Sequence, residues 1–172
     1  MNRKSLALAI VILLSGLKVW SQNQATVSGQ AYAEVISALS AYENTQMHFG
    51  KFSPEVGGGQ IVLTPDGVRT VQGSIVLGGG TAQSGRFIIN GQADATYTIQ
   101  LPVGSAELKH STSNKTMTVS DWTSDPPAGT GSGTLSGGNQ TVSIGATLVV
   151  GSMEDNPVGI YTGTYSLTFA YN

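Results

Sequence analysis

The chain has 172 residues, with eight Lys and Arg against ten Asp and Glu, two His and no Cys. The missing cysteines exclude disulfides, thiolate metal centres and thiol nucleophiles, so the core must hold without covalent staples. Charged residues make up only 10% of the chain, and the cations stand singly, without the basic stripe that phosphate binding needs, which excludes nucleic acid as a partner.

Met1 to Ser21 places Arg3 and Lys4 before an apolar run from Leu6 to Leu14 and ends on small Ser21. This is the grammar of a secretory signal peptide, and the run is too short to span a bilayer. Cleavage after Ser21 leaves residues 22–172 as one domain, and it removes Arg3, Lys4 and Lys18 while every carboxylate stays. Five cations then face ten anions, a net charge of −5. The expected location is the periplasm in transit, then the cell surface or the medium. No later stretch reads as a membrane span.

"ATVSGQAYAEV" carries Ala25, Val27, Gly29, Ala31, Ala33 and Val35 at odd positions. In "MHFGKF", His48 stands between Met47 and Phe49 and is expected at the surface. The triplets Gly57 to Gly59 and Gly78 to Gly80 read as loops. "QIVLT" reads as a strand closed by the turn "PDG", whose Pro presets φ and whose Gly accepts a positive one. "TYTIQLP" alternates Tyr97, Ile99 and Leu101 against Thr96, Thr98 and Gln100, and His110 in "ELKHSTS" is expected at an exposed strand end.

"KTMTVS" sets Met117 and Val119 against Thr116 and Thr118. Extending that alternation puts Trp122 on the Thr face, where an indole could stack on a sugar ring; the alternative is a tryptophan capping one end of the core. The Pro- and Gly-rich stretch from Thr123 to Gly133 reads as a surface loop. "QTVSIGATLVV" gives one face to Val142, Ile144, Ala146, Leu148 and Val150, and Glu154 to Pro157 suits a turn. The chain closes on "GIYTGTYSLTFAYN", with Tyr161, Tyr165, Leu167, Phe169 and Tyr171 at odd positions. Alternation that persists so near a terminus implies a paired strand.

Short alternating runs without helical periodicity point to an all-β antiparallel sandwich. Nothing resembles an active site. The two histidines lack a spacing that would bring them onto one metal with a carboxylate, and no nucleophile elbow or phosphate loop is present. The expectation is a protein that is neither an enzyme nor dependent on a cofactor or metal.

The succession "MHFGKFSP", "GGQIVLTPDGVRT", "VLGGG", "FIINGQADATYTIQLP", "MTVSDW", "GTLSGGNQTVSIGATLVVG" and "PVGIYTGTYSLTFAYN" resembles the secreted bacterial family known as domain of unknown function 4402, over about Ala25 to Asn172. That family is similar in turn to spore coat protein U and to chaperone–usher pilins, immunoglobulin-like sandwiches completed by a strand from another chain, and the resemblance implies an immunoglobulin-like antiparallel sandwich here. The pilin likeness rests on penultimate Tyr171, the alternating series before it, and Gly159 as the fourteenth residue from the end. It implies a structural subunit of a fimbria-like or other surface assembly. The terminal strand would pair with a periplasmic chaperone during export and with a second copy or related subunit afterwards. The donor would be the segment with Ala25, Val27, Gly29, Ala31 and Ala33. Two alternatives stay open: a closing strand of a self-complete sandwich, and a surface adhesion or glycan-binding module using Trp122.

Overall fold

The computed structural model describes residues 23–172, so the leader read at Met1 to Ser21 lies outside the described residues. The chain divides into a segment ending at Glu34 and a body from Val35 to Asn172. Residues 23–39 form no strand or helix, and Val27, Tyr32 and Val35 stand almost fully exposed. Among the described residues no helix is long and apolar enough to cross a membrane.

The body is all-β and antiparallel, as the alternation predicts. Its strands are β1 (Ser40–Thr45), β2 (Phe52–Leu63), β3 (Arg69–Leu77), β4 (Gly85–Asn90), β5 (Thr96–Gln100), β6 (Ala106–His110), β7 (Thr116–Asp125), β8 (Gly129–Thr134), β9 (Asn139–Val150), β10 (Tyr161–Thr162) and β11 (Thr168–Tyr171). One large sheet runs β1-β4-β9-β7-β6-β10, with the β2–β3 hairpin joined to it through β9; a small sheet runs β11-β5-β8. The two sheets make a sandwich-like architecture.

The twelve-residue strand β9 is the spine. Along one side its first half pairs with β4 and its second with β2, while β7 lies along the other. Its apolar face, continuous in sequence, serves two cores. Val142 and Ile144 join Ile89, Tyr97, Ile99 and Leu135 beneath the small sheet. Ala146, Leu148 and Val150 join Phe49, Ile61, Leu63, Met117 and Val119. Met47 and Trp122 pack against both.

Four expectations are corrected. The stretch from Thr123 to Gly133 is mostly strand: β7 continues to Asp125 and β8 starts at Gly129. A glycine-rich strand is tolerated there because β8 is an edge that pairs only with β5. Gly57 to Gly59 lie inside β2, at a break in its register with β3, rather than in a loop. His110 is buried. The terminal run does not pair along its whole length, since it contributes β10 to one sheet and β11 to the other, and residues 163–167 between them join no ladder.

Candidate strand-pairing site

The alternating terminal run keeps its facing across the gap. Tyr165, Leu167, Phe169 and Tyr171 are half-buried and the even positions beside them are exposed. All four pack against the core that lies under the small sheet. Phe169 meets Tyr97 edge-on at 6.1 Å between ring centres. Tyr165 does the same with Phe87 at 6.1 Å and lies against Trp122 at 4.8 Å. Its hydroxyl is buried without a hydrogen-bond partner, and this desolvation, helped by the nearby Glu43 charge, pushes its pKa up.

β11 pairs with β5 in the register Thr168↔Gln100, Phe169↔Ile99, Ala170↔Thr98 and Tyr171↔Tyr97. The terminus is fastened rather than frayed. Asn172 Nδ2 donates to Thr96 Oγ1 at 3.1 Å, and its Oδ1 accepts from Thr98 Oγ1 at 2.6 Å. Among the described residues, β11 is nonetheless the end of its sheet, with no strand on its second side. Beside that free edge lies a groove of about 290 Å³ lined by Leu39, Ser40, Ala41, Leu167, Thr168 and Phe169. One wall leads into β1 in the large sheet; the other is β11. A strand laid there would find main-chain partners along β11 and apolar side chains in the groove.

Gly159 and Tyr161 lie elsewhere, at the β6 edge of the large sheet. Tyr161 pairs with His110 and its ring meets the imidazole at 4.9 Å. The imidazole Nε2 lies 3.1 Å from the Val158 carbonyl, so it carries the proton that donates there; Nδ1 is free to accept from the Thr112 amide at 3.2 Å. A Cβ on residue 159 would overlap the His110 ring. Glycine is required there for close approach to the histidine, a reason unrelated to the groove. Asn156, buried beside it, donates to the Thr116 carbonyl at 2.8 Å and accepts the Gly151 amide at 2.6 Å.

Trp122 is turned from the face that simple alternation gives it. A register break between Ser120 and Thr123, with Asp121 at φ 50°, aims the indole toward the cores. Its Nε1 donates to the Gly104 carbonyl at 2.9 Å. The tryptophan is therefore half-buried and packs against both cores. The donor-segment residues Ala25, Val27, Gly29, Ala31 and Ala33 are exposed and enter no ladder. Sequence reasoning missed Leu39 and Ala41, the second wall of the groove, because the stretch from Leu39 into β1 has no sustained alternation.

Elsewhere, a shallow polar cleft of about 320 Å³ is bordered by Thr45, Asp66, Gln83 and Arg86. Among the described residues no three His, Cys, Asp or Glu side chains converge as a metal site would require.

Residues 39–171 match the model of a family described as a domain of unknown function, DUF4402. The chain belongs to that family. No curated protein and no solved structure matches this DUF4402 chain.

Proposed function

We propose that this DUF4402 protein is a secreted, non-catalytic structural subunit of a fimbria-like or other surface assembly, extended by strand addition along β11. The observation that carries the reading is the unpaired second side of β11 beside a shallow groove whose lining includes Leu39, Ala41, Leu167 and Phe169. The occupant is residues 25–35 of a second copy or a related subunit, and a periplasmic chaperone would hold the same edge during export. The donor's small side chains suit a narrow slot but bury little area each, at about 25 cal/mol per Å². Affinity would therefore come mainly from the main-chain ladder.

Deleting Ala170 to Asn172 should abolish surface polymer while export continues; normal polymer after the deletion would reject the reading. Intact mass of the exported protein should place its amino terminus at Gln22 or within a few residues, and a species retaining Met1 to Ser21 would remove the secretion argument. The alternative reading, a surface adhesion or glycan-binding module, would use the exposed part of the half-buried Trp122.

A further inference from the structure

Resting on the strand-addition reading, we propose that the Tyr171 hydroxyl is a positioning group that holds the two walls of the groove at the spacing an added strand needs. The walls belong to different sheets, and ladder hydrogen bonds do not cross between sheets. Side chains do: Tyr97 of β5 donates its hydroxyl to Gln140 of β9 at 2.8 Å, and Tyr171 ties β11 to the segment that leads into β1. Tyr171, on β11, donates its hydroxyl to the Ser37 carbonyl at 2.8 Å and accepts the Gln92 amide at 2.6 Å. The Gln92 side chain completes the triangle, its Oε1 accepting the Ser37 amide at 3.3 Å. Ser37 is thus held through both its backbone groups although it lies outside any strand.

Two residues further on, Leu39 packs against the core as part of the far wall, and ladder pairing starts only at Ser40, opposite Asn90. The placement of Leu39 therefore depends on how firmly Ser37 is tied. The tie has a sequence requirement of its own. A Cβ on residue 91 would overlap the Tyr171 hydroxyl, so the glycine of "NGQ" is what lets the phenol reach the Gln92 amide. The ring of Tyr171 fills space in the core; its hydroxyl fastens β11 to the segment that leads into β1 and to the connection that follows β4. A groove whose walls are already at the bound spacing loses less freedom when a strand enters.

Tyr171→Phe keeps the ring and removes only the hydroxyl. Amide exchange should then quicken at residues 37–41 and stay unchanged in β5 and β9. Binding of a labelled synthetic peptide of residues 25–35 to the monomeric mature protein, followed by fluorescence anisotropy, should weaken about tenfold as preorganisation is lost. Gln92→Ala, which keeps the main-chain amide and loses only the bond to Ser37 N, should fall between that variant and wild type. Unchanged exchange and equal peptide binding would overturn the inference alone. Faster exchange throughout the body would overturn it as well, by making the hydroxyl a general support of the fold. A wild-type protein that binds no peptide would instead reject the strand-addition reading and take the inference with it.

Discussion

Tyr161 and Phe169 stand eight residues apart on one alternating run, yet they end in different sheets and different cores. The front half is tied down by side chains: β10, itself the end strand of the large sheet, pairs with β6, the His110 ring packs on Tyr161, and Asn156 ties the preceding loop to the start of β7 and the end of β9. The back half has β5 on one side and an open groove on the other. A periodic pattern therefore specifies which side chains face inward, while the choice of sheet is made by contacts distant in sequence.

The sharpest way to break the comparison is within the back half itself. Phe169→Ala should cost about 2–4 kcal/mol, reduced from a fully buried site because the ring is only half covered, whereas Thr168→Ala should change stability by less than about 0.5 kcal/mol. Chemical denaturation of the pair tests the assigned faces, and equal losses would reverse them. In the front half, Asn156→Ala takes the side-chain partner from the Gly151 amide and the Thr116 carbonyl in a part-buried site. It should cost about 1–3 kcal/mol by the same measurement, with amide exchange rising first at Gly151 and around β10.

A smaller effect separates the halves again. Tyr161→Phe removes the hydroxyl bond to the Pro157 carbonyl, at 2.9 Å, and should cost about 0.5–1.5 kcal/mol without touching peptide binding at β11. The smallest prediction concerns alkaline pH. Burial pushes the Tyr97 hydroxyl from 10 to about 12, so the folded state holds its proton where the unfolded chain releases it. That contribution is complete below pH 10 and should be lost as pH rises from 10 to 12. Tyr97→Phe should give a shallower fall of melting temperature across that window.

Strand character was legible in three sustained alternating runs, whereas "ATVSGQAYAEV" and residues 163–167 alternate as well and join no ladder. "TYTIQ", "TMTVS" and "NQTVSIGATLVV" became β5, the start of β7 and β9, because one face of each meets core and the other meets water. Inward facing at Tyr165, Leu167, Phe169 and Tyr171 was legible for the same reason. What the pattern could not carry were departures from it. The bulge that turns Trp122 is a two-residue event with no periodic trace, and β8 is held by pairing with β5 rather than by apolar side chains of its own. Burial of His110 follows from Gly159 and Val158, some fifty residues away. The groove was half legible: β11 announced itself, while Leu39 and Ala41 derive their role only from the distance between two sheets.

The bridge from Tyr171 to Ser37 also has a topological meaning. The point where the body begins and the point where it ends are one side chain apart, so residues 37–172 form a nearly closed ring of chain. Such a ring can be cut elsewhere. A short Gly/Ser link from Asn172 to Ser37, with new ends opened at the Pro65-Asp66-Gly67 turn, would preserve every ladder described for the body while giving the chain a different order. In that permuted molecule the last strand would no longer be terminal, and residues 23–36 would have no place of attachment at the mouth of the groove.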